Sequence, residues 1–168
     1  MKKVAYIIVA GLVGFILGFI LRFHIEADKF VLAQWKEPPV VIVCPDSQVT
    51  PYRVNLAIEW WGIRGYDIDY YHFDNEGHLC DSGLFTTGMI FIRGKGFIGK
   101  DLYAITTRWA LKGEMKSASI LLPNVHKHVP RLLEHELGHA LGLTHVEKPG
   151  HMMHPIHEYG GEKFWIPD

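Results

Sequence analysis

The sequence predicts an α/β (α+β) domain, with a mixed twisted sheet and a helix near its C-terminal end, preceded by one N-terminal transmembrane helix. The chain has 168 residues, of which 48% are hydrophobic, enough for one compact domain with a core. After residue 40, β-branched and aromatic runs alternate with amphipathic stretches, which indicates strands and helices in one unit. A long uncharged run near residue 1 predicts the membrane-spanning helix.

The first 25 residues have the pattern of a signal anchor. Residues 4–21 are eighteen residues without a charge, bounded by Lys3 and Arg22. As a helix they span roughly 27 Å, close to the thickness of a bilayer core. Lys2 and Lys3 favour a cytoplasmic N-terminus, with the following domain outside the cytoplasm. The alternative is a cleaved signal peptide and a secreted protein.

Residues 26–39 are predicted to be a linker between this anchor and the rest of the chain. Pro38 and Pro39 end the segment, and consecutive prolines do not continue a helix. The remaining residues, 40–168, are predicted to form the main domain.

The main domain is predicted to begin with a buried strand and a helix. Residues 40–43 are a β-branched run typical of a buried strand. Thr50 followed by Pro51 has the pattern of a cap and first helical residue, so a helix is predicted over residues 51–63. Later strands are predicted over residues 66–73, 89–93, 102–109 and 118–122, and Pro130 opens the last helix.

Two cysteines and the overall charge limit the possible environments and partners. Cys44 and Cys80 fit one disulfide in a translocated domain, and two buried thiols are the alternative. The formal net charge is −1 and no run of Lys or Arg occurs. Nucleic acid is therefore not an expected partner.

The last predicted helix carries the pattern of a catalytic zinc site. His135 and His139 are four residues apart, so on a helix they lie on one face and reach one zinc ion. Glu136 lies beside the metal, where a base acting on water is needed. Gly142 allows the chain to leave the helix, which brings His145 back as a third ligand. Three ligands leave the fourth position of a tetrahedral zinc ion open.

The stretch His-Glu-Leu-Gly-His-Ala-Leu-Gly-Leu-Thr-His resembles the zinc-binding motif of the metzincin peptidases, and most closely its matrixin form. Met153-His154-Pro155, eight residues after His145, is similar to the matrixin Met-turn, which makes Met153 the Met-turn residue and Met152 its neighbour. The departure is Val146, where matrixins usually have serine.

The resemblance implies a metzincin-like zincin fold, one catalytic zinc ion and a protein or peptide substrate. Glu136 then accepts the proton of the attacking water held at the zinc. The substrate is expected to lie along a sheet edge within residues 102–107, and the pocket beyond the cut near residues 155–159. Two alternatives are a zinc amide hydrolase acting on cell-wall material and a membrane-anchored binding module without turnover.

Seven other residues near these segments are weaker candidates for metal binding or inhibition. His72, Asp74 and His78 faintly resemble the second zinc site of matrixins, but a solvated turn is the expected structure. Cys44 is similar to part of a cysteine switch that lacks its arginine, so autoinhibition is not expected. The remaining histidines around the Met-turn are expected to be surface residues: His151, His154 and His157.

Overall fold

The computed structural model describes residues 30–81, 86–96 and 102–167. Within them lies one six-stranded mixed sheet. Its strands are β1 (Gln34–Trp35), β2 (Val40–Val43), β3 (Tyr71–Phe73), β4 (Met89–Arg93), β5 (Ile105–Leu111) and β6 (Glu114–Leu121). Three α-helices accompany them: α1 (Pro51–Gly62), α2 (His78–Asp81) and α3 (Leu132–Ala140).

The sheet is parallel except at β5. Its strands follow the order β1-β6-β4-β2-β3, and β5 pairs with β6 in antiparallel register. The mixed sheet with few helices confirms the predicted α/β class. Among the described residues β6 is the one strand that pairs with β5, so β5 lies at an edge of the described sheet.

Some strands have the bounds predicted from the sequence, and others begin at different residues. β2 and β4 have the predicted bounds. β6 begins four residues before residue 118, because Lys112 and Gly113 form a tight turn with φ of 53° and 78°. Residues 66–70 are not in a strand, which leaves only Tyr71–Phe73 of the predicted 66–73.

The residue before each of the two long helices determines where that helix begins. In α1 the Thr50 hydroxyl accepts a hydrogen bond from the Arg53 N–H at 3.4 Å, and proline occupies the first position as predicted. Helix α3 begins at Leu132, because Arg131, just after Pro130, adopts a left-handed φ of 64°. The short helix α2 was not predicted from the sequence.

Helices α1 and α3 pack on each other, and the larger of two hydrophobic clusters lies between them and one face of the sheet. Trp61 is fully buried and donates from its indole N–H to the carbonyl of Glu134 at 2.8 Å. The carboxylate of Glu134 forms a two-point ion pair with Arg53. These contacts join α1 to the first turn of α3 and set its direction in the fold.

The segment predicted as a linker is in part packed on the domain. Phe30 and Ala33 are buried, and Gln34–Trp35 form β1, which pairs with β6. A strand of two residues is too short to show an alternating pattern, so it cannot be predicted from the local sequence.

No helix in these described ranges is long and apolar enough to span a membrane. The predicted anchor, residues 1–25, lies outside them and stays a prediction.

A disulfide joins Cys44, at the end of β2, to Cys80 in α2, with Cα atoms 5.8 Å apart. This decides between the two alternatives that the sequence left open. It also removes Cys44 as a free thiolate for autoinhibition. The bond pins β2 to the connection between β3 and β4.

Replacing both cysteines with serine is expected to lower the free energy of unfolding by about 3–4 kcal/mol, since the bond closes a loop with a sequence separation of 36. Denaturant unfolding with and without reductant measures this. The double variant is the control, because a reductant should leave its midpoint unchanged. A wild-type midpoint that does not move once both thiols are free would contradict the expectation.

Candidate active site

Helix α3 and the turn after it bring three histidines together. His135 and His139 lie one helical turn apart with ring centroids separated by 4.7 Å. Gly142, with φ of 103°, turns the chain out of the helix, and His145 returns to face His139. Their Nε2 atoms are 3.1 Å apart, and one ligand nitrogen from each histidine lies within 4.8 Å of the others. The three predicted ligands therefore converge on one point.

Backbone carbonyls orient two of these imidazoles. Nδ1 of His135 donates to the carbonyl of Met152 at 2.8 Å, and Nδ1 of His139 donates to the carbonyl of Leu143 at 2.9 Å. A carbonyl can only accept, so Nδ1 carries the proton in both rings and Nε2 keeps its lone pair. This is the arrangement that a metal-binding histidine needs.

Burial keeps the three imidazoles in the neutral form that binds metals. It lowers the pKa of His135 to about 4 and that of His139 to about 3. Burial also lowers the pKa of His145, with a smaller contribution from the positive charge of Arg108. At neutral pH no proton has to leave these rings before a metal ion binds.

The donor set fits one zinc ion. Tetrahedral zinc with Zn–N bonds of about 2.1 Å holds neighbouring ligand nitrogens about 3.4 Å apart, close to the 3.1 Å between His139 and His145. Among the described residues, the three histidines are the one group of metal-binding side chains that lie this close together. Three nitrogen ligands leave a position for substrate or water.

Glu136 is buried beside this group. Its Oε2 accepts a hydrogen bond from the Thr106 hydroxyl of β5 at 2.6 Å. Burial raises the pKa of Glu136 to about 7, and the Thr106 hydrogen bond opposes that rise. A carboxyl group whose pKa lies near 7 can both accept a proton and return it at neutral pH.

Met153 lies fully buried beneath the helix, in the turn that the sequence pattern predicted. Gly138 makes room for it, because a Cβ at that position would overlap both the Met153 sulfur and the Trp61 ring. The preceding residue, Met152, supplies the carbonyl that orients His135. The turn therefore supports the histidines through a backbone atom as well as through packing.

Gly142→Ala is expected to destabilise the protein by about 3 kcal/mol. Its left-handed φ disfavours alanine, and a Cβ there would overlap the carbonyl of Ala33. Denaturant unfolding measures the loss. Gly62→Ala is the matched control, since Gly62 is helical and has nothing within 4 Å of the added Cβ. Equal midpoints for Gly142→Ala and the wild type would refute this role of the glycine.

A cavity of about 630 Å³ opens over the three histidines and Glu136. One wall comes from the start of β5 and the chain before it, and the other from the chain after the Met-turn. Both segments predicted to bind the substrate, residues 102–107 and 155–159, contribute residues to it. The two walls consist of Leu102, Tyr103, Ala104, Ile105, Thr106 and Arg108 on one side, and His154, Pro155, Ile156, His157 and Glu158 on the other.

Two histidines expected at the surface are buried instead. His151 is fully buried: its Nδ1 accepts from the Met153 N–H at 3.0 Å and its Nε2 donates to the Trp165 carbonyl at 3.0 Å. His154 is also buried and accepts from the Ile156 N–H. These hydrogen bonds stabilise the Met-turn. The local sequence does not indicate that role. His157 is half-buried and donates to the Pro130 carbonyl.

The weak second metal site has a different structure from a zinc site. Asp74 is buried and accepts from the Cys80 N–H at 2.8 Å, so the expectation of a solvated side chain is wrong there. His78 pairs with Glu76 at the surface. Their contacts support the turn around the disulfide.

The fold brings three metal-binding histidines and a buried glutamate together in one open cleft, which is the donor set of a zinc hydrolase site. Over residues 45–167 the chain matches the family model of the matrixins, which is more than half of its length. The protein therefore belongs to the matrixin family of zinc-dependent metallopeptidases. No solved structure matches the chain.

Proposed function

We propose that the protein is a zinc-dependent endopeptidase that hydrolyses peptide bonds. In this proposal His135, His139 and His145 bind one zinc ion, Glu136 is the catalytic base and Met153 is the Met-turn residue. The observation that carries it is the convergence of three imidazole nitrogens beside a buried glutamate in an open cleft. Membership of the matrixin family supports the same class of reaction.

The chemistry divides between the metal and Glu136. A bound zinc ion would act as a Lewis acid that lowers the pKa of water and polarises the scissile carbonyl. Glu136 accepts a proton from the attacking water while the water oxygen bonds to the carbonyl carbon. It then returns that proton to the amide nitrogen as the C–N bond breaks. The products are a carboxylic acid and an amine.

The position of β5 at an edge of the described sheet supports binding of the substrate as an extended strand. Ile105 and Thr106 line the cavity at this edge, within the predicted range 102–107. Backbone hydrogen bonds to such an edge give affinity with little dependence on sequence. Pro155 and Ile156 on the opposite wall then contact the side chain beyond the cut.

Thr106→Val is expected to lower kcat/KM about tenfold, because the hydrogen bond that orients the Glu136 carboxylate is lost while the volume is kept. Thr106→Ser retains the hydroxyl and should restore most of the activity. Steady-state kinetics on a fluorogenic peptide compare the two variants. If valine and serine have equal effects, the hydroxyl does not orient Glu136.

The reaction class is tested by incubating the full-length chain in detergent with casein, labelled peptides and peptidoglycan, with and without a chelator. Chelator-sensitive cleavage of peptides is the expected result. Activity on peptidoglycan alone would replace the proposal with a cell-wall amide hydrolase. Zinc binding without any turnover would leave a binding module.

We also propose that residues 1–25 hold the chain in the membrane as a single span, with the catalytic domain outside the cytoplasm. The uncharged run of eighteen residues after Lys2 and Lys3 supports this. The test is the mass of the N-terminal peptide from a membrane fraction. A new N-terminus beyond residue 21 would show a cleaved signal and a secreted enzyme.

A further inference from the structure

The segment 30–35, called here the N-terminal strap, lies against the exit of helix α3. Val31 forms an antiparallel bridge with Leu143, between two backbone hydrogen bonds. Leu32 donates to the Gly142 carbonyl at 3.0 Å, and the Thr144 N–H donates to the Phe30 carbonyl at 2.8 Å. Residues 30–32 of the strap are therefore paired with residues 142–144, which lie between His139 and His145.

Both ends of the strap are anchored elsewhere in the fold. At one end, the buried Phe30 ring packs 5.8 Å from His151 and 6.0 Å from Phe164. At the other end, Trp35 pairs with Met115 of β6, and its indole N–H donates to the Ala140 carbonyl at 2.9 Å. That last bond also satisfies one of the carbonyls left open at the end of α3. The strap is thus a fixed support.

The paired stretch of chain carries the atom that orients a metal ligand. In an extended segment, neighbouring peptide groups point to opposite sides. The Gly142 carbonyl and the Thr144 N–H face the strap, and the Leu143 carbonyl accepts from His139 Nδ1 at 2.9 Å and from Arg108 at 2.9 Å. Holding this stretch fixes that carbonyl and, one residue beyond Thr144, the position of His145.

We propose that the N-terminal strap is a positioning element of the zinc site, so that metal affinity depends on hydrogen bonds made by residues 30–35. It contributes no ligand and no group to the cleft. It acts through the Leu143 carbonyl, which fixes the ring of His139, and through the approach of the chain to His145. The inference rests on the zinc ligands of the proposed function.

Leu32→Pro tests the strap most directly, because proline lacks the N–H that donates to Gly142. Leu32→Ala is the matched control, since it keeps that N–H and the Leu32 side chain is 40% exposed. Trp35→Phe is the second variant: it removes the indole donor to Ala140 and keeps an aromatic ring at that position. All are made in the full-length chain, in detergent micelles.

Two readouts separate positioning from general stability: the zinc dissociation constant, by chelator competition, and the visible absorption spectrum of the Co²⁺ form. Loss of support around a metal ligand typically weakens binding about 10–100-fold. We expect at least tenfold weaker zinc binding and an altered Co²⁺ spectrum for Leu32→Pro, a smaller change in the same direction for Trp35→Phe, and wild-type values for Leu32→Ala.

Wild-type zinc affinity and spectrum in both Leu32→Pro and Trp35→Phe would overturn the proposal. Equal losses in Leu32→Pro and Leu32→Ala would also overturn it, because the side chain would then be responsible. If Leu32→Pro does not fold, Trp35→Phe decides by the same readouts. Zinc binding by the wild type is measured first. Its absence would refute the metal site itself, whereas the outcomes above refute the strap alone.

Discussion

Glu136→Gln is expected to reduce peptide cleavage by at least about 10³-fold while the protein keeps its zinc. Glutamine has nearly the same shape and can still accept the Thr106 hydrogen bond, but it does not accept a proton. General base catalysis contributes about 10²–10⁴-fold, and here one carboxyl group also serves the leaving amine. The measurement is kcat on a fluorogenic peptide, together with the zinc content of the same sample.

The matched control is Glu147→Gln, which makes the same change at an exposed glutamate two residues after His145. It should cleave peptides at the wild-type rate. If purified Glu136→Gln also retained the wild-type rate, Glu136 would not be the base. If it lost zinc together with activity, the loss could not be assigned to proton transfer.

His139→Ala is expected to lose both zinc and activity, the second large effect. The substitution removes one of three nitrogen ligands, and two histidines do not hold zinc in a catalytic site. It also removes the N–H that the Leu143 carbonyl accepts. We expect no zinc after dialysis against a weak chelator and no measurable peptide cleavage.

His72→Ala is the control for His139→Ala, because His72 is exposed and lies outside the group of three histidines. It should retain one zinc ion per chain and full activity. Wild-type zinc content in His139→Ala would show that the zinc ion is bound at another site. Loss of zinc in both variants would point to a surface site.

The convergence of the three histidines is the feature of this fold that the sequence alone predicts best, because it depends on residues close together in the chain. His135 and His139 are brought together by helical periodicity, and Gly142 marks the turn that returns His145. Strand β4 was predicted with its observed bounds because glycines bracket an apolar run. Such patterns need no knowledge of the rest of the chain.

Features that depend on distant partners could not be predicted in this way. Thr106 meets Glu136 only because β5 folds back along β6, and nothing in its neighbourhood marks it. The strap pairs residues about 110 positions apart in sequence, such as Val31 and Leu143. The disulfide was one of two equal alternatives until the positions of β2 and α2 were known.

The prediction that His151 and His154 are surface residues is wrong, because it rested on the usual exposure of histidine. Histidine is usually at least partly exposed, yet His151 is fully buried, because both ring nitrogens have partners in the backbone around the Met-turn. Within the predicted linker, residues 26–39, Gln34 and Trp35 form strand β1 through their pairing with β6, about 80 residues further along the chain.

Peptide hydrolysis by the full-length protein, stripped of metal and reloaded with zinc in water enriched in ¹⁸O, tests the central claim most directly. The proposed function predicts that cleavage disappears on stripping, returns at one zinc ion per chain, and places ¹⁸O in the new carboxyl group. Cleavage that persists without metal, or no cleavage of any peptide in the zinc-loaded protein, would contradict it.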